Sequence, residues 1–147
     1  MSLTGVWMNE LNSIMVLNEH ADGTLTGRYR SIVGRDSHIR DLAGKASAEE
    51  QTKQLLGFAV CFQIDQPGPG YWHSSLCTWS GWARDKNITT HWLLTVDPLK
   101  KEDEWSSTLL GEDSFEKVLD VPEERHLQAE IPALKKLLAK VRVKAKA

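Results

Sequence analysis

Apolar and polar residues alternate along much of the first 120 positions, the period-two spacing of strands with one buried and one wet face. The longest such runs are Phe58–Ile64, Ser74–Arg84, Ile88–Val96 and Trp105–Leu119. Shorter runs at Thr4–Met8, Met15–Glu19, Thr24–Ser31 and Leu42–Ala46 precede them. Turn chemistry separates the runs. Asp22-Gly23 is a strong local hairpin signal. Gln66-Pro67-Gly68-Pro69-Gly70 breaks the chain, Asp85-Lys86-Asn87 forms a turn, and Asp97–Asp103 is a charged loop. About eight closely spaced strands predict an all-β unit, either a sandwich or an up-and-down barrel.

The period changes after Asp120. Pro122-Glu123-Glu124 reads as a helix start, with acids where the helix dipole favours them. Leu127, Ile131, Leu134, Leu138 and Val141 then recur at helical spacing, with Pro132 as a kink or divide. The pattern predicts a β unit over residues 1–120 and an amphipathic helical tail over 121–147. Charge follows the same boundary. Residues 1–120 carry 11 Lys and Arg against 17 Asp and Glu, whereas 121–147 carry 7 against 3. A basic tail of this kind is ordinarily a solvated helix face, so neither nucleic acid nor membrane is expected as a partner.

Composition narrows the classes further. The chain of 147 residues is 41% hydrophobic and 26% charged, as in an ordinary soluble protein, and no long apolar run is present to span a membrane. No leader precedes the first strand, so the expectation is either cytoplasmic residence or secretion after leader removal. Two cysteines form no disulfide framework, and the histidines have no metal-ligand spacing. Cys61 alternates outward with respect to Val60 and Phe62, while Cys77 lies on the inward set. The two thiols are therefore expected to stay unpaired.

Alternation sorts the side chains by face. One set contains Gly5, Trp7 and Asn9; others contain Ser13, Met15 and Leu17, or Tyr29, Ser31 and Val33. Later strands supply Phe58, Val60 and Phe62, then Ser75, Cys77 and Trp79, then Trp92 and Leu94, then Leu109, Gly111, Asp113 and Phe115. A plain core would be apolar throughout. Polar groups near one end of each set fit a cavity that opens there and offers directed hydrogen bonds to a small ligand. No nucleophile and base are paired; His73 and Ser74 are strand neighbours on opposite faces. The chain is expected to bind and not to catalyse.

Several motifs, in order, carry a specific likeness. Leu3-Thr4-Gly5-Val6-Trp7-Met8-Asn9-Glu10-Leu11-Asn12-Ser13 resembles the first-strand signature of the avidins, and Gly23-Thr24-Leu25-Thr26-Gly27-Arg28-Tyr29 resembles their third strand. Thr78-Trp79-Ser80-Gly81, His91-Trp92-Leu93-Leu94-Thr95 and the stretch from Trp105 to Phe115 follow in matching order. Asn9-Glu10-Leu11-Asn12-Ser13 looks most like the fungal tamavidin-like members. The resemblance covers roughly residues 2–120. It implies an eight-stranded antiparallel up-and-down β-barrel, here with a C-terminal helical extension, binding biotin as a ligand with no cofactor and no metal.

The resemblance also implies roles. Asn9, Ser13 and Tyr29 donate to the ureido oxygen, and Ser31 and Asp113 accept from the ureido N–H groups. Trp79, Trp92 and Leu94 pack on the ring and side chain, with Leu11, Val33 and Phe62 completing the lining. Ser75 and, from the loop, Arg35 reach the carboxylate, and Trp105 caps a neighbour's site in a homo-oligomer, the homotetramer being expected. Two departures bear on affinity. Phe62 stands where streptavidin-like members carry Trp, and Cys77 stands where a Thr hydroxyl usually faces the thioether sulfur. The rival readings are a lipocalin-like carrier of another hydrophobic ligand and a structural oligomer with a weakened pocket. The polar set Asn9, Ser13, Tyr29, Ser31 and Asp113 separates them, since neither rival needs it.

Overall fold

Strands with one apolar face must bury it, and eight of them can do so against each other by closing. The computed structural model, which describes residues 2–31, 38–63, 74–98 and 100–127, shows this closure. The strands are β1 (Gly5–Asn9), β2 (Ile14–Glu19), β3 (Thr24–Arg30), β4 (Arg40–Ala46), β5 (Lys53–Gln63), β6 (Ser74–Arg84), β7 (Asn87–Val96) and β8 (Thr108–Leu119). Each pairs antiparallel with its neighbour in sequence, and β8 returns to β1. Closure leaves no strand edge open to a foreign chain. Among the described residues no helix is long and apolar enough to cross a membrane.

The all-β reading and the barrel hold, with differences at element ends. β5 begins at Lys53, five residues before the alternation predicts. The cause is a two-residue reversal at Gln51 and Thr52, both with positive φ (50° and 65°), closed by reciprocal Glu50 and Lys53 backbone bonds of 2.8 and 2.9 Å. Hairpins of this geometry ordinarily use Asn-Gly, so Gln-Thr gives no sequence signal. At Asp22-Gly23 the expected reversal is present, and Gly23 takes φ 85°. Trp105 does not begin β8. It lies in a 3-10 turn over Lys101–Ser106, which the Ser107 hydroxyl closes by donating to the Glu104 carbonyl at 2.6 Å. The helical signal at Pro122 yields a 3-10 turn at Glu124–Leu127. The rest of the expected tail helix, with the loop residues Val33 and Arg35, lies outside the described residues.

Two apolar clusters result. Inside the barrel, Leu3, Trp7, Met15, Leu17, Leu25, Phe58, Trp79, Ile88 and Phe115 form the centre of the core. Trp7 is fully buried and its indole donates to the Leu3 carbonyl at 2.9 Å, which makes it a packing residue. Outside, Val6, Met8, Ile14, Val16 and Val118 are buried together with Leu127. The turn after β8 folds back, and Leu127 joins Val118 in this cluster within the same chain. Val118, on the outward face of β8 and 7% exposed, is therefore buried within one chain and is not free for an intersubunit face. Leu93, on the outward face of β7, is 43% exposed.

Candidate functional site

Polar side chains gather at one end of the barrel for a topological reason. In an up-and-down barrel, odd strands end where even strands begin. Asn9 closes β1, Ser13 precedes β2, Tyr29 sits at the end of β3 with Ser31 just past it, Phe62 near the end of β5 and Ser75 near the start of β6. The next link is register. Trp79 pairs with Trp92, which pairs with Gly111; Cys77 pairs with Leu94, which pairs with Leu109. Asp113 stands two residues deeper along β8, on the same face as Gly111.

Asp113 is the centre of the arrangement. It is 8% exposed, and its Oδ2 accepts from the Trp79 indole N–H at 2.8 Å. The Asn9 amide and the Glu10 carboxyl also lie in hydrogen-bonding contact with it. Burial is the largest influence on this carboxyl and raises its pKa; Trp79 and Asn9 lower it, Glu10 raises it, and the net result is about 6. Asn9 is itself fixed in orientation. Its Oδ1 accepts from the backbone N–H groups of Leu11 (3.0 Å) and Ser13 (2.9 Å), so its NH2 is the end left to donate into the site. That turn is completed by Asn12 in the left-handed region at φ 68°, a conformation Asn tolerates.

Aromatic rings wall the polar centre. Trp79 stacks on Phe58 with centroids 5.0 Å apart and meets Tyr29 at 5.1 Å; Tyr29 meets Phe62 edge-on at 6.0 Å. Trp92 needs Gly111 opposite it. A Cβ there would fall 2.1 Å from the Trp92 ring, so only glycine lets the indole lie across β8. Tyr29 and Ser13 share a side-chain hydrogen bond, and burial followed by the Asp113 charge pushes the phenol far above its ordinary value. Tyr29 therefore stays a donor. The same two causes push the Cys77 thiol up to about 12, so it is neutral and unreactive. Cys61 is exposed and Cys77 buried, both free, as the face assignment requires.

Of the expected site residues, Asn9, Ser13, Tyr29, Ser75, Cys77, Trp79 and Asp113 are buried at this end. Phe62, Trp92 and Leu94 pack against the same core with partial exposure. Ser31 is half-buried just past β3, and Leu11 is 50% exposed on the rim. A cleft of about 430 Å³ runs over the outer side of the rim, lined by Cys61, Ser74, Leu76, Thr95 and Asp97 and reaching Ser75. Among the described residues, no group of His, Cys, Asp and Glu is placed to hold a metal.

Three contributors were not legible as site residues. Glu10 follows Asn9, and alternation would send it outward; the chain turns there instead, bringing its carboxyl to Asp113 while Oε2 accepts from the Ser114 N–H at 3.0 Å. Alternation puts Phe58 on the inner face, but its stack under Trp79 depends on the β5–β6 register. Thr90 donates to the Asp113 carbonyl at 3.0 Å across the β7–β8 ladder. Only pairing partners could have revealed the last two. A model of the avidin family matches residues 1–118 of the chain.

Proposed function

Because the chain belongs to the avidin family, whose proteins are non-enzymatic biotin binders, we propose that it captures biotin with high affinity in the polar end of its barrel. The observation that carries this reading is the buried Asp113 carboxylate beside oriented donors and between aromatic walls. A ureido group needs acceptors for its N–H groups and donors for its oxygen, and both must stay dry to discriminate. Asp113 and Ser31 serve as acceptors, and Asn9, Ser13 and Tyr29 as donors. Trp79, Trp92, Phe62 and Leu94 surround the ring, with Leu11 and Val33 at its margin. Ser75 and Arg35 take the carboxylate. Cys77 contributes packing to the thioether and little hydrogen bonding. Calorimetry and a thermal melt test the reading. Biotin at 1,000 times its Kd should stabilise the fold by about 4 kcal/mol. No heat and no melting shift would remove it.

The binding should depend on pH through Asp113. Ligand N–H groups favour the carboxylate, whereas in the free protein burial raises its pKa to about 6. Binding strength is thus fully available above about pH 6 and declines below it, by up to about tenfold per pH unit while the bound carboxylate stays ionised. Titration of Kd from pH 8 to 4.5 reads this directly; a flat profile would exclude Asp113 as the titrating acceptor.

Assembly belongs to the same reading. Leu55, Leu76, Trp82, Leu93 and Leu110 are exposed on the barrel exterior, Leu110 by 75%. Large apolar side chains left exposed on neighbouring strands are the material of an interaction surface. A homotetramer, the family's typical state, would cover it, and Trp105 would cap the ligand of a neighbouring subunit. Light scattering should give the tetramer mass. Trp105→Lys should speed biotin release while the barrel stays folded; full-strength binding by a monomer carrying that substitution would show each site to be complete in one chain.

A further inference from the structure

The outer apolar cluster stands directly behind the polar end of the barrel. Strand neighbours point to opposite faces. Met8 precedes Asn9, Ile14 follows Ser13, and Arg30 lies between Tyr29 and Ser31. Met8 and Ile14 are buried on the outside in the same cluster as Leu127, which is 1% exposed. Arg30 reaches over the same turn, its Nη1 donating to the Leu127 carbonyl at 2.7 Å. Each of the four inward polar residues is thus one position from a member of Leu127's cluster or from Arg30, which is bonded to the turn after β8.

We infer that the Glu124–Leu127 turn is a positioning element of the ligand site: Leu127, seated in the outer cluster and clasped through its carbonyl by Arg30, holds from behind the strand ends that aim Asn9, Ser13, Tyr29 and Ser31 inward. Neither residue touches ligand; both act through the backbone. The clasp sits where support from the sheet runs out. β3 pairs with β2 as far as Arg30 and with β4 only as far as Tyr29. Ile39, just before β4, is partly buried against the same cluster, so both flanks of the intervening loop rest on it. The burial of β1 agrees. All five of its residues are buried, inner and outer alike, as in a strand covered on both faces.

The inference rests on the biotin reading for one of its two readouts, and the other needs no ligand. Amide hydrogen exchange is followed in the full, ligand-free chain carrying Arg30→Met, which keeps the aliphatic stem but loses the donor, Leu127→Ala, or Arg30→Lys. The first two should speed exchange over residues 13–14 and 29–31 and leave β6 and β7 unchanged, with Arg30→Lys close to the unaltered chain. Biotin dissociation should quicken roughly fivefold in the first two variants, the scale of effects from residues that do not contact a ligand. Exchange that stays slow over 13–14 and 29–31, or that rises equally around the barrel, overturns the inference. So does faster local exchange with an unaltered biotin dissociation rate. An unaltered chain that binds no biotin counts against the biotin reading alone, since exchange still decides whether the turn holds these strand ends.

Discussion

Replacing Asp113 with alanine is expected to weaken biotin binding by roughly 100-fold or more, corresponding to about 3 kcal/mol, the upper range for losing a charged hydrogen-bond partner in a buried site. The reason lies in what the carboxylate leaves behind. The Trp79 indole N–H, held at 2.8 Å, loses its acceptor, and so does a ureido N–H of the bound ligand. Neither finds water easily in a wall formed by Phe58, Tyr29 and Trp79. Asp113→Asn separates charge from shape. It keeps a carbonyl acceptor, so its loss should fall between those of the unaltered chain and Asp113→Ala, and the decline of affinity below about pH 6 should vanish. Isothermal titration at pH 7.5 and at pH 5 measures both effects. An alanine variant that binds within threefold of the unaltered chain would show that the carboxylate faces something other than the ligand.

The second large effect concerns the fold. Trp79→Ala should destabilise the ligand-free protein by about 3–5 kcal/mol, the cost usual for deleting a buried large aromatic. Trp79 is 4% exposed and touches Phe58 and Tyr29 on its two flanks, so the cavity cannot close without moving β5 or β3. Trp79→Phe isolates the indole N–H. It retains most of the packing and should cost about 1–3 kcal/mol through the unsatisfied Asp113 acceptor. Denaturant unfolding without biotin gives both values. Equal losses for the two substitutions would place the contribution in the N–H and not in the ring.

How far the chain could be read follows from where the information sits. Alternation located β6 and β7 almost to the residue because one face of each is wet and the other dry along ten or eleven positions. It missed the first half of β5, since the reversal at Gln51 and Thr52 depends on two positive φ angles in residues that do not advertise them. The candidate site was legible to the extent that strand faces and motif order placed Asn9, Tyr29, Trp79 and Asp113 on the inward side. Glu10 was not legible, because alternation stops applying once a chain turns.

The sequence alone determined the class of fold and the inward identity of the polar set, for both depend on local period and on residues near in chain order. Tertiary structure decided what those residues meet. Trp79 finds Asp113 from 34 positions away, and Arg30 finds the Leu127 carbonyl from 97. β1 and the first four residues of β2 are buried on both faces, which a pattern read as one wet and one dry face does not predict. Leu127 joins the outer cluster, brought back by a turn whose place is set only once β8 has closed against β1. Barrel closure converts distances along the chain into contacts, and a pattern of period two carries no record of which strands those contacts join.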